Sequence, residues 1–311
     1  MITRLVRLTI AALLLALAFL YGALRDHQGQ WPANPIRRFE AEWRTPAARR
    51  IEIDNFGRLV AYPGKSDVAC PPAGPRTAVI LAIGQSNASN EAGERGKSHH
   101  GANIVSWFDG KCQIAESPLL GTSGDRGESW TILANKLIEA GAYDTVVIVP
   151  LAIGGTKVAR WSPGGDLFTM LMQQLDRLTP TYFPTHIVWV QGEDDRSQGT
   201  DTATYRQHFL GLVDSIRGKG VGAPIFVTRA TFCEPDIPWV RENPVGIALD
   251  QMPDPSKGIY AGVDTDRLIS AEDRMDGCHF GGRGVAIFTD AMKDLIIQGN
   301  SAAAGQEKTN R

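Results

Sequence analysis

The chain has 311 residues, of which 43% are hydrophobic and 21% charged, with 33 glycines and 18 prolines. That composition excludes disordered, collagen-like and coiled-coil proteins, and no long repeat points to a solenoid or propeller. Lys plus Arg number 32 and Asp plus Glu 34, a net charge of -2, so the basic excess expected of a nucleic-acid-binding protein is missing and no nucleic-acid partner is expected.

In chain order, Arg4 and Arg7 precede an apolar run at residues 8–24, and Arg25-Asp26 follow it. At about 1.5 Å per helical residue the run spans roughly 25 Å, the short end of a bilayer crossing. A signal peptide or an uncleaved anchor fits. A cut after Ala23 would place Tyr21 at the −3 position, where a small residue is needed, so an anchor is favoured. The membrane is then met through this segment alone, and the rest of the chain is periplasmic or otherwise extracytoplasmic.

Residues 25–75 read as a polar tether followed by a small hairpin around Asn55-Phe56-Gly57, placed as a lid over one sheet edge. Apolar runs at 77–83, 145–153, 186–190, 224–228 and 258–263 read as strands, and 129–140, 167–178, 202–217 and 284–297 as helices. In the second of these, Leu167, Met170, Leu171 and Leu175 recur at helical spacing. Continuous apolar strands alternating with helices indicate an α/β fold with a mainly parallel sheet covered on both faces. Residues 76–298 form that domain, and 299–311 read as a polar tail.

Such sheets bind ligands beyond the carboxyl ends of their strands. Four loops there carry chemistry: Gly84-Gln85-Ser86-Asn87, Gly154-Gly155-Thr156, Gln191-Gly192-Glu193-Asp194-Asp195 and Asp276-Gly277-Cys278-His279. Ser86 follows a strand and a glycine, where the backbone turns sharply, and is the candidate nucleophile; N-capping of a following helix is the structural alternative. His279 is the candidate base, because the other histidines fall in the tether, in a polar loop, at a strand start or within a helix. Asp276, three residues upstream, can accept the imidazole Nδ1–H and orient the ring. Gly154 and Gly155 offer unobstructed N–H donors to an oxyanion, each worth roughly 3 kcal/mol in the transition state, and Gln191 can add a side-chain donor. Asp194 and Asp195 read as acids favoured by a helix dipole. No metal and no cofactor are expected.

Four cysteines permit two disulfides in three connectivities, or four buried thiols. A Cys233–Cys278 bridge would pin the His279 loop to the sheet and leave Cys70 to pair with Cys112.

These four ordered motifs, with Trp161 five residues after Thr156, resemble the sialate O-acetylesterase-like branch of the SGNH hydrolases, over roughly residues 76–298. The resemblance implies a three-layer α/β/α sandwich of flavodoxin-like type and a metal-free serine esterase acting on O-acetyl groups of carbohydrates through an acetyl-enzyme. It implies Ser86, His279 and Asp276 as the triad, and Gly155 or Gly154 with the Ser86 amide as the oxyanion hole. Gln191 stands where the wider superfamily places an asparagine. Gln85, Asn87, Thr156, Trp161 and Glu193 fall to substrate binding or to support of the triad, and Arg160 and Trp161 could line a sugar site. Ala88 replaces a bulkier methionine of the branch and would alter the floor of the acyl pocket. A polysaccharide O-acetyltransferase using the same acyl-enzyme, or an inactive carbohydrate-binding protein, are the alternatives.

Overall fold

The computed structural model describes residues 50–233 and 239–309, with side chains up to residue 299. The apolar run at 8–24 and the tether at 25–49 lie outside the described residues.

In chain order the strands are β1 (Glu52–Ile53), β2 (Leu59–Ala61), β3 (Asp67–Val68), β4 (Thr77–Gly84), β5 (Ile104–Phe108), β6 (Lys111–Ile114), β7 (Thr145–Ala152), β8 (His186–Gln191), β9 (Ile225–Arg229) and β10 (Ile259–Asp264). The α-helices are α1 (Trp130–Glu139), α2 (Asp166–Leu178), α3 (Glu193–Ser197), α4 (Thr202–Gly218), α5 (Pro244–Asp250), α6 (Thr265–Leu268) and α7 (Gly282–Thr309). Helix α7 thus runs through most of the segment expected as a polar tail.

The main sheet has the order β10-β9-β8-β4-β7-β5-β6-β3. Its strands from β10 to β5 pair in parallel, while β6 and β3 add antiparallel. The five strands expected from apolar runs take the order β7-β4-β8-β9-β10, the flavodoxin-like arrangement. The runs do not include β5 and β6. Their signature is Asp109-Gly110 between them, both with positive φ (50° and 82°), the two-residue turn that matches strand twist.

All of β4 is buried, and its alternation divides the core. Val79, Leu81 and Ile83 face one apolar layer with Leu171 and Leu175 of α2 and Phe209 and Leu212 of α4. Ala78, Ile80 and Ala82 face the other, with Leu133 and Leu137 of α1 and Phe288 and Met292 of α7. Helices therefore cover both faces, which makes an α/β/α sandwich with a mixed, mostly parallel sheet.

The β1–β2 hairpin is present and packs on the loop after β6. Leu59 exchanges backbone hydrogen bonds with the loop after β6, donating to Thr122 O and accepting from Gly121 N, both at 2.8 Å. Leu59 also packs against Phe108 and Leu120. The hairpin is built into the same compact unit as the sheet.

Both disulfides form, Cys70–Cys112 and Cys233–Cys278. The first ties the segment ahead of β4 to β6; the second ties the chain after β9 to the residue next to His279. Each closes a loop of more than forty residues, for which chain-entropy loss in the unfolded state gives about 4 kcal/mol. Reduction is expected to lower the melting temperature by several degrees, read by thermal unfolding with and without a thiol reductant. Identical melting in both buffers would refute this contribution. Two disulfides also point to an oxidising, extracytoplasmic compartment. No helix among the described residues is long and apolar enough to cross a membrane.

Candidate active site

The chain leaves β4 through a backbone that only glycine tolerates. Gly84 has φ +147°, and a Cβ there would lie 2.0 Å from Val190 O of β8. With no side chain, the chain crosses close to β8, Gln85 N donates to Val190 O at 3.0 Å, and residues Ser86–Ala88 form a single 3₁₀ turn. This turn stands where an N-capped α-helix was the structural alternative for Ser86. Ser86 sits at the junction between β4 and β8, where the sheet's chain order reverses and the strand ends leave a crevice.

A cavity of about 550 Å³ opens at that junction. Ser86, His279, Gly154, Gly155, Gln85 and Glu193 all line it, with Gly57 of the hairpin turn forming part of the wall. Loops from four distant parts of the sequence thus meet there.

His279 is held from both sides. Its Nδ1 lies 2.7 Å from Asp276 Oδ2, and Asp276 Oδ1 accepts the backbone N–H groups of Cys278 and His279 at 3.1 and 2.8 Å. Burial pushes the Asp276 carboxyl up, but hydrogen bonds from the His279 side chain and backbone outweigh it and hold the group below its ordinary value. The carboxylate is therefore ionised and fixed, suited to an imidazole with its proton on Nδ1.

Asn87 staples the serine turn to the histidine loop. Its Nδ2 donates to Glu193 Oε1 (2.7 Å) and Cys278 O (3.3 Å), while its Oδ1 accepts from Phe280 N at 3.0 Å. These bonds bracket His279 on its two chain neighbours. Asn87 is buried, so it supports the loop and presents nothing to a ligand.

Glu193 is also buried, and its Oε2 has no hydrogen-bond partner among the described residues. Burial raises its pKa to about 7, against the opposing hydrogen bond from Asn87 and the charge of Arg274. The folded value exceeds the unfolded one, so the neutral form's stabilisation is full below a glutamate's ordinary value of 4.5 and is lost as pH rises through about 7. Glu193→Gln keeps the acceptor for Asn87 and removes the proton. It is expected to flatten the pH dependence of stability by about 3 kcal/mol between those limits, as measured by denaturant unfolding across pH. An unaltered slope would count against a neutral Glu193.

Several sequence expectations need correction. Gln191 is fully buried, donates Nε2 to Thr156 O (2.9 Å) and Asp195 Oδ2 (2.5 Å), and accepts from Tyr205 Oη at 2.7 Å. Its amide is committed inside the fold and does not line the cavity, so it is no oxyanion donor. Gly154 N–H already donates to Ser123 Oγ at 2.8 Å. The N–H groups of Ser86 and Gly155 make no hydrogen bond among the described residues, and Gly155 has φ +63°. Trp161 is wholly buried, edge-on to Trp189 with centroids 6.2 Å apart, and bonds Thr156 Oγ1. It is core, as is Thr156. Arg160 is closed onto Asp166. Ala88 is buried, its carbonyl accepting from Trp130 Nε1 at 2.7 Å, and forms no pocket floor. Asp195 lies in the first turn of α3, where the helix dipole favours an acid, and it also does more. It is buried and accepts from Val158 N, Thr200 Oγ1 and Gln191 Nε2, tying the second and third loops together.

Sequence reasoning missed Ser123, Glu91 and Arg196, which all line the cavity. Ser123 fixes Gly154, as described, from a loop whose only signal was its glycines. Among the described residues no group of three or more His, Cys, Asp or Glu stands where it could hold a metal ion.

Residues 76–252 match the model of a family described as carbohydrate esterase, sialic acid-specific acetylesterase, more than half the chain. The chain belongs to this family. It is a carboxylic ester hydrolase of the carbohydrate acetylesterase class. The matched span includes the Ser86, Gly154-Gly155 and Gln191–Glu193 segments and ends before Asp276 and His279. Among solved structures, a protein of Arabidopsis thaliana is 16% identical to the esterase, with 72% of this chain and 99% of that one covered at a TM-score of 0.55. That likeness is one of fold. NanS is 19% identical over 71% of this chain and 97% of its own, with a TM-score of 0.47. A carbohydrate acetylesterase from Xanthomonas citri is 14% identical over 69% and 55%, also at 0.47. No curated protein matches the chain.

Proposed function

We propose that this esterase removes O-acetyl groups from a carbohydrate through a Ser-His-Asp triad and an acetyl-enzyme intermediate. The observation that carries the reading is the 2.7 Å contact of Asp276 Oδ2 with His279 Nδ1, in a loop that lines the same cavity as Ser86. Ser86 Oγ attacks the acetyl carbonyl while His279 Nε2 takes its proton. The N–H groups of Ser86 and Gly155 stabilise the oxyanion, and His279 then protonates the departing sugar oxygen. Water, activated by the same imidazole, attacks the acetyl-Ser86 carbonyl and releases acetate.

Residues 8–24 are proposed to deliver the chain across a membrane and hold it there, with residues 76–298 as the catalytic domain. The apolar run supports the first part and the core layers the second. The packing of Leu59 and the place of Gly57 in the cavity wall support counting 51–75 with the catalytic unit.

Mass spectrometry of the purified full-length chain, quenched during turnover of p-nitrophenyl acetate with EDTA present, is expected to find one acetyl group, on the peptide holding Ser86. Turnover without an adduct there, or with one elsewhere, would refute the nucleophile.

A further inference from the structure

Resting on that ester-hydrolase reading, we infer that Ile153 and the turn of the β1–β2 hairpin wall off an acyl subsite that confines the enzyme to short acyl groups such as acetyl. Ile153 and Gly57 line the cavity together with Ser86. A Cβ at Gly57 would lie 3.8 Å from Ile153 Cγ2, so the hairpin turn and this side chain stand in van der Waals reach of each other. Gly154, next to Ile153, flanks the serine; a Cβ there would sit 3.6 Å from Ser86 Cβ. With no side chain at Gly154, that flank of Ser86 is open as far as Ile153. The hairpin turn is held in place. Asp54 Oδ1 accepts from Phe56 N and Arg58 N at 2.9 and 3.0 Å, and Asp54 O accepts from Gly57 N at 3.0 Å. The buried Arg58 guanidinium lies over the rings of Phe56 and Phe108, at 5.4 and 5.1 Å from their centroids.

The direction of the acyl group follows from the two faces of the sheet. Ile153 belongs to the apolar layer shared with α2 and α4, against which Phe56 of the hairpin also packs. Phe280, next to His279, and Ala92, next to Glu91, belong to the other layer, with α1 and α7. Ser86 thus has His279 and Glu91 toward one face and Ile153 and Gly57 toward the other. The departing sugar oxygen must face His279 to be protonated, and the carbonyl oxygen must face the N–H groups of Ser86 and Gly155. The remaining bond of the acyl carbon therefore points away from His279, toward Ile153 and Gly57. Those two residues present no polar side chain, which suits a methyl group leaving water. Each further methylene would have to displace Ile153, which is buried, or the hairpin turn, and overpacking of a well-filled site is unfavourable.

The test measures kcat/KM of the full-length chain for p-nitrophenyl acetate and p-nitrophenyl butyrate, each divided by the rate of its hydroxide-catalysed hydrolysis. Acetate is expected to exceed butyrate on the order of 100-fold, since one misfitting methylene is worth about 10- to 200-fold. Ile153→Ala, which removes three carbons from the end of the subsite, should bring the ratio to about tenfold or less. Gly57→Ala adds a methyl between the turn and Ile153 and should widen it by about tenfold. Should Ile153→Ala not fold, Ile153→Val is expected to narrow the ratio in the same direction by a smaller factor. Because each ratio is taken within one protein sample, a partly unfolded variant leaves it readable. Butyrate turned over as fast as acetate by the wild type overturns the inference. A ratio unmoved by both Ile153 variants overturns the role of Ile153, and one unmoved or narrowed by Gly57→Ala overturns that of the hairpin. Failure on p-nitrophenyl acetate itself would instead overturn the hydrolase reading and the inference with it.

Discussion

Ser86→Ala is expected to lose ester hydrolysis on the order of 10⁶-fold in kcat, about 8 kcal/mol of transition-state stabilisation, while melting like the wild type. The side chain is nearly buried, yet Oγ makes no hydrogen bond among the described residues, so its removal leaves no polar group stranded. The 3₁₀ turn is held by backbone bonds from Ala88 N to Gln85 O (2.8 Å) and Ser89 N to Ser86 O (3.0 Å), none of which needs the hydroxyl. The residual rate should come from the N–H donors and substrate binding. Assay of p-nitrophenyl acetate with a melting curve on the same sample separates chemistry from folding. Activity within tenfold of wild type in a folded Ser86→Ala protein would remove Ser86 as the nucleophile.

The second large effect is expected from Asp276→Asn, on the order of 10⁴-fold in kcat. The two carboxylate oxygens do different work. Oδ1 accepts two backbone N–H groups and shapes the loop, while Oδ2 faces His279 Nδ1. An asparagine can keep its Oδ1 on the backbone and thereby preserve the loop. Its amide N–H₂ then opposes Nδ1, so the imidazole proton moves to Nε2, the nitrogen that must accept from Ser86. The base is present but in the wrong tautomer. Asp276→Ala removes the backbone acceptor as well and should also destabilise the loop. A folded Asp276→Asn protein with activity near wild type would show that the 2.7 Å contact is structural only.

What the sequence determined by itself is the class of fold and the loops where chemistry would lie. Five continuous apolar runs could be buried only as central parallel strands, and loops at their carboxyl ends share one rim whatever the details of packing. The Asp276–His279 pair was legible for a similar reason. Three residues of separation through a glycine, Gly277 at φ 77°, leave the carboxylate little else to reach. Cys233 and Cys278 were legible as a pair because one follows a strand and the other adjoins the histidine.

Only the tertiary structure decided which polar side chains face the cavity and which are spent inside the fold. Gln191, Thr156 and Asp195 adjoin the site in sequence, yet each is buried and bonded to another loop, and Trp161 is packed into the core. Sequence spacing fixes where a residue leaves its strand but not which way its side chain turns. That direction follows from partners more than thirty residues away, as with Gln191 and Thr156. Ser123, Glu91 and Gly57 entered the cavity wall from segments without a motif, placed there by long-range packing such as the Leu59–Thr122 backbone bond. A buried polar group must find a partner wherever the fold supplies one, and that choice is made in space.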